Sequence, residues 1–270
     1  MRVYVLGASI WGPGLEGWEA SRAVLTGFAD HVPRTSPPLA PAMLSATERR
    51  RTSLVVRLAL NVAQAASAMA GFPSDRMRNV FATSNGDGAV VGAILEALSG
   101  GDGQVSPTQF HNSVHNAASG YWTIANRTRQ PATCLGCGDV TMGTSLLKAI
   151  TEVEVEREPL LLCVYDAPMP SPLAAKRPTQ GAFAAGFVLA SKDNGMALAH
   201  LEAAYVAQPV PDGTGEPDTQ GLRELSRANP AARSLRLLQA LARGKADRFP
   251  VALLDGHLDV EVEPCSGGHG

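Results

Sequence analysis

The sequence has 270 residues, 45% of them hydrophobic, and a formal net charge of −2. That is enough apolar material for one large domain or two small ones with a real core. The lack of a basic excess argues against nucleic acid or an anionic membrane surface as a partner. No apolar run approaches the roughly 18 residues of a membrane span. The opening MRVYVLGASIWGPG is too short an apolar run for a signal peptide. The expected location is therefore cytoplasmic, and four cysteines in a chain this long do not make a secreted disulfide framework.

Residues 2–8, RVYVLGA, read as a buried strand, and residues 15–27 as a helix closed by Gly27. The Pro- and Ser-rich stretch 28–46 reads as a loop. Thr47, with Arg50 and Arg51, opens a long helical pattern running to Gly71, with Leu54, Leu58, Val62, Ala65 and Met69 on one face. The Arg49–Arg51 cluster reads first as a solvated helix end and second as a binding patch. Residues 78–84 read as a strand, Asn85–Gly88 as a turn, Ala89–Leu98 as a helix and Asp102–Val105 as a loop. Helices are expected at 113–126 and 140–156, and PLLLCVYD at 159–166 reads as a central strand. Residues 167–180 read as a loop, and 181–191 with 197–208 as a pair of strands. Glycines at 181–186 allow close approach between those strands. Residues 209–228, rich in Pro, Gly, Asp and Thr, read as a mobile segment. Asn229 and Pro230 sit at the N-cap and first position of a final helix ending near Arg243. Residues 250–263 supply closing strands, and 265–270 read as a flexible tail after a single domain over 1–264. Alternating strands and helices make the fold class α/β.

Several small motifs carry chemistry in other proteins. Cys134 and Cys137 form a CxxC, but the second pair of a zinc ribbon is missing, so both read as small fillers of a buried strand. His111 and His115 lie four apart, with Asn112 and Asn116 in step; on a helix they would share a face. A metal would need a third ligand that is not evident, so no metal site is expected. His115 and Asn116 read instead as hydrogen-bonding partners of buried backbone. Asn85-Gly86-Asp87-Gly88 reads as an ordinary turn before a phosphate cradle, and Tyr121 and Trp122 as core or interface residues.

Residues 106–126 read SPTQFHNSVHNAASGYWTIAN, and QPATCLGCGDVTMGTSLLKA follows at 130–149. Together with the opening VYVLGASIWGPGLEGWEASRAVLTG and the later GAFAAGFVLAS, these segments resemble the thiolase-like β-ketoacyl synthase superfamily over about residues 1–205. In that family a nucleophilic cysteine stands eight residues past a Gly-Pro. Here Pro131 follows Gln130, and the same spacing falls on Asp139. The resemblance also implies two catalytic histidines in a C-terminal duplicate half, whereas only His257 and His269 follow residue 205, neither in a Gly-Thr-rich setting. The chain is most similar to short ketosynthase-like proteins that hold only the N-terminal half. These share an SPxxFxNSVHNAxxGYW motif and resemble chain-length factors of aryl-polyene and type II polyketide pathways.

The resemblance implies a thiolase-like half, a mixed sheet with helices on both faces. It implies a non-catalytic protein without a cofactor that pairs with an active β-ketoacyl synthase, as a heterodimer, or forms a homodimer, and meets the acyl carrier protein through that complex. His111, His115, Asn116, Tyr121 and Trp122 would then form the interface and tunnel wall. Asp139 suits a helix N-cap and cannot hold a stable acyl thioester. Two rival readings stay open: an acyl-transferring or thioester-hydrolysing enzyme using Cys137, as a displaced nucleophile, or Asp139; and an interaction module that kept only the fold.

Overall fold

A computed structural model describes residues 1–34, 40–100, 103–211 and 214–265. Strand β1 (Arg2–Gly12) is followed by a two-residue strand β2 (Leu15–Glu16) that pairs back on it, and by helix α1 (Trp18–Thr26). Helices α2 (Ala46–Arg51) and α3 (Leu54–Ala70) lead into β3 (Arg78–Ala82). Helices α4 (Gly88–Ser99), α5 (Pro107–Ser113) and α6 (Ala117–Ala125) come next. Then follow β4 (Ala132–Leu135), α7 (Thr141–Glu156), β5 (Leu160–Asp166), β6 (Phe183–Ala190) and β7 (Ala199–Val206). The chain closes with α8 (Gln220–Ala228), a 3-10 turn at Pro230–Ser234, α9 (Leu235–Arg243), β8 (Asp247–Ala252) and β9 (His257–Pro264).

Among the described residues one sheet runs in the order β4-β3-β5-β6-β1-β7-β9-β8. β3 is parallel to both β4 and β5, and every other pairing is antiparallel, so the sheet is mixed. One apolar layer joins the sheet to α7, α9 and α1 through residues such as Phe187, Ile150 and Leu238. The opposite layer joins it to α3 and α6 through Phe81, Tyr165, Leu58 and Trp122. β5 and β6 are buried along their whole length because both faces are covered. α3 lies directly on the strands: a Cβ on Gly7 would stand 2.4 Å from the Ala66 carbonyl oxygen, and one on Gly186 would stand 2.7 Å from that of Val62.

Several expectations need correction. The pattern from 47 to 71 is two helices. Ser45 and Glu48 make a capping box at the start of α2, Thr52 turns extended, and Ser53 caps α3 by accepting from Val56 N. Two N-caps in series restart the helix and rotate its inner face, so Leu54 and Ala65 are exposed while Val55, Ala59 and Ala66 are buried. The helix expected at 113–126 begins only at Ala117, because Val114 is extended, and an unexpected helix, α5, started by Pro107, precedes it. β6 and β7 do not pair with each other, since β1 lies between them. The small residue at 186 makes room both for Ser9 of the neighbouring strand β1, whose Oγ would stand 2.7 Å from a Cβ there, and for α3. Residues 220–228 of the segment read as mobile form α8, whose Leu222 and Leu225 are buried. The described tail residue Cys265 donates its backbone N–H to Leu198 O, and 266–270 lie outside the described residues. No helix among the described residues is long and apolar enough to cross a membrane.

Candidate functional site

The turn between β4 and α7 is where spacing puts the residue of interest. Gly138 takes a left-handed φ of 55°, which lets the chain reverse into a 3-10 turn over Gly138–Val140. Thr141 holds the turn: its hydroxyl accepts from Cys137 N at 3.0 Å and donates to Gly138 O at 2.7 Å. The expected N-cap role of Asp139 is not observed. Val140 occupies that position, and α7 has no side-chain cap. Asp139 instead faces two arginines. Arg177 Nη2 donates to Oδ1 at 2.9 Å, Arg233 Nη2 stands 3.6 Å from Oδ2, and Arg233 also binds the Asp139 carbonyl. Arg177 is itself oriented by Asn85 Oδ1 at 3.0 Å, and Asn85 is tied to Thr179. A carboxylate held between two guanidiniums serves as a charge anchor and is a poor nucleophile.

Below this turn, Asp166 ends β5 almost fully buried. It accepts from Thr83 Oγ1, Ser84 N and Ser84 Oγ at 2.8–2.9 Å. Burial raises its pKa against the opposing pull of those hydrogen bonds. Asn229 cross-links the same region, donating to Gly181 O at 2.8 Å while its Oδ1 accepts from Ala231 N.

The two cysteines differ in place. Cys134 lies in the edge strand β4, and its thiol is pushed up by burial, against a hydrogen bond with Ser119. Cys137 lies outside the strand, in the turn, contrary to the expectation that both fill a buried strand. All four cysteines are free, and no cluster of metal-ligating side chains occurs among the described residues.

The 106–126 segment divides its residues between two spaces. His111, Asn116 and Tyr121 line an open groove of about 590 Å³, together with Val114, Ile124 and Arg51. His111 and Tyr121 meet edge to face at 5.7 Å. Burial and the nearby Glu48 carboxylate raise the Tyr121 pKa, so its phenol is neutral. His115 is also exposed but faces the β4–α7 turn instead: its Cε1 lies 3.0 Å from where a Cβ on Gly136 would be. The break at Val114 is why His111 and His115 do not share a helix face. Neither His115 nor Asn116 makes a side-chain hydrogen bond among the described residues. The backbone anchor is Asn112, whose Nδ2 donates to Arg51 O at 2.9 Å. Trp122 is fully buried and packs on Phe81 at 6.2 Å between centroids.

Residues 18–247 match the family described as β-ketoacyl synthase, N-terminal domain. The chain belongs to that family. Among solved structures it is similar to a chain of the ketosynthase ApeO in complex with its chain length factor ApeC from Xenorhabdus doucetiae. That match has a TM-score of 0.72 and 18% identity, over 97% of this chain and 99% of that one. A chain of the AntDE:AntF assembly, a type II polyketide acyl-carrier protein with its ketosynthase bound to the hexaketide, matches with TM-score 0.72 and 10% identity over 98% and 99%. A chain of the ishigamide ketosynthase/chain length factor matches with TM-score 0.66 and 15% identity over 97% and 98%. No curated protein matches the sequence. At these identities the shared property is the ketosynthase-like fold, which is that of chains in ketosynthase–chain length factor complexes.

Arg177 and Arg233 had no signal in the sequence. They lie 38 and 94 residues from Asp139, and nothing local marks them. Asn229 was legible as a cap, though its long-range hydrogen bonds were not.

Proposed function

We propose that this chain is a non-catalytic, chain-length-factor-like partner of an active β-ketoacyl synthase in acyl chain elongation of the polyketide or aryl-polyene kind. The observation that carries the reading is Asp139: where family spacing calls for a thiol, this chain holds a carboxylate ion-paired to Arg177. An acyl group on it would be an anhydride, too reactive to keep a growing chain. Catalytic use of Cys137 is disfavoured because its nearest side-chain neighbour by hydrogen bonding, Thr141, serves the backbone and supplies no base.

The surface supports pairing. α4 reads GAVVGAILEALS, yet Gly88 is its one buried residue. Leu95, Leu98, Phe110, Val114 and Ile124 are exposed across α4, α5 and α6. Apolar faces of this kind mark protein contacts. The outer edge of β4 pairs with no strand among the described residues, so it is free to extend a sheet across an interface. Beside this face, Arg49, Arg50 and Arg57 line a groove of about 400 Å³ and make no ion pair among the described residues, which suits an acidic carrier protein. In this reading, side-chain volume around His111, Tyr121 and Val114 sets the depth of the acyl channel.

Two measurements test it. Intact-mass analysis of the purified chain incubated with acylated carrier protein is expected to show no adduct, and an adduct abolished by Cys137→Ala would establish the enzymatic alternative. Co-expression with the pathway's ketosynthase is expected to give a co-purifying complex with altered product length. Failure to co-purify would leave only the interaction module that kept the fold.

A further inference from the structure

A small pocket lies between α3, the α5–α6 connection and the ends of β3 and β5, with a volume of about 10 Å³. That is the room one water molecule needs, and no larger group fits it. Part of its wall is polar. Asp87 is the N-cap of α4, and Asn112 lies in the last turn of α5. They are 8% and 4% exposed, and Asp87 Oδ2 and Asn112 Oδ1 have no hydrogen-bond partner among the described residues.

Neighbouring polar atoms are committed elsewhere. Asp87 Oδ1 accepts from Val90 N at 3.1 Å and so caps α4. Asn112 Nδ2 donates to Arg51 O at 2.9 Å. That bond fixes which end of the Asn112 amide faces the pocket, because turned over it would set oxygen against oxygen at Arg51. Thr83 Oγ1 donates to Asp166 Oδ1 and accepts from Gly86 N. Tyr165 also lines the pocket, is 1% exposed, and makes no hydrogen bond among the described residues. Burial is the main cause that pushes its pKa well up, so the phenol keeps its proton. His115 completes the wall from the exposed side. Buried oxygens left unpaired are costly, and native proteins nearly always satisfy them. Tyr165 has a single proton and serves one of the two oxygens at most. A water donates two protons and still accepts one, so a single molecule answers both oxygens and the phenol.

We propose that this pocket binds one structural water, which bridges Asp87 Oδ2 and Asn112 Oδ1. It joins the start of α4 to the end of α5, two helices that carry the exposed Leu95, Leu98 and Phe110. Every atom of the site belongs to this chain, so the site does not depend on the partner reading.

Crystals of the full chain, solved at atomic resolution, are expected to show one density peak about 2.5–3.0 Å from both Asp87 Oδ2 and Asn112 Oδ1. In solution, relaxation dispersion of labelled water oxygen counts the waters that stay bound longer than the protein takes to tumble. Asn112→Leu removes one acceptor, and Val56→Ile adds a methyl group to the wall without touching a polar atom. Each is expected to lower the count by one. A pocket without density, or the two oxygens drawn into direct contact, overturns the proposal. So does a peak ringed by six or more oxygens at about 2.3–2.6 Å, the signature of a bound calcium-like cation. A count unchanged in both variants overturns it as well. If neither variant folds, the wild-type map decides.

Discussion

α3 and α4 are both strongly apolar helices, and the molecule treats them in opposite ways. α3 buries ten of its 17 residues against β1, β6 and β5, with glycines on the strands cut back to receive it. α4 buries Gly88 alone and presents Leu95 and Leu98 beside Phe110, Val114 and Ile124. The contrast teaches that apolar sequence in this chain serves two ends. One set is spent on the fold, and the other is kept on a face that water should not be left to cover.

The largest test of this contrast is in the core. Phe187→Ala, at a fully buried position in β6, is expected to cost about 3–5 kcal/mol in urea unfolding. Next, Phe110→Asp combined with Ile124→Asp is expected to leave unfolding within about 1 kcal/mol of wild type, since both side chains are about two-thirds exposed. The same double variant should weaken ketosynthase binding by about 2 kcal/mol or more, measured by titration. A collapse of monomer stability instead would show that the α4–α6 face belongs to the core.

Smaller effects sharpen the picture at the polar sites. Burial pushes the Glu152 carboxyl up, but hydrogen bonds from Lys148 and Arg78 outweigh it and leave the pKa lowered. Its contribution is therefore present above the ordinary glutamate range and lost as pH falls through the lower folded value. Glu152→Gln is expected to cost about 1.5 kcal/mol near neutrality and to flatten the acid side of the stability–pH curve. A curve with unchanged slope would contradict that assignment. Asp139→Ala is expected to change stability by less than about 1 kcal/mol, because the carboxylate and both arginines are well exposed. A larger loss in thermal unfolding would mean the ion pairs hold the turn together.

Much of the fold was legible from local chemistry. The apolar runs of β1, β5 and β6, the Gly27 and Gly71 helix ends and the Asn229-Pro230 start are all written in short windows, because propensity, caps and burial period act within a few residues. The motifs at 106–126 and 130–149 were enough to indicate the ketosynthase family. What only the tertiary structure decided is long-range. It placed β1 between β6 and β7, split one expected helix at Thr52, set an unexpected helix ahead of Val114, and turned His111 to the groove and His115 to the β4–α7 turn. It also brought Arg177 and Arg233 to Asp139, and Asp87, Asn112 and Tyr165 to the lining of one small pocket. Sequence specifies which side chains can bear charge or donate a hydrogen bond; which of them meet depends on how distant strands pair and helices pack, and no short window encodes that.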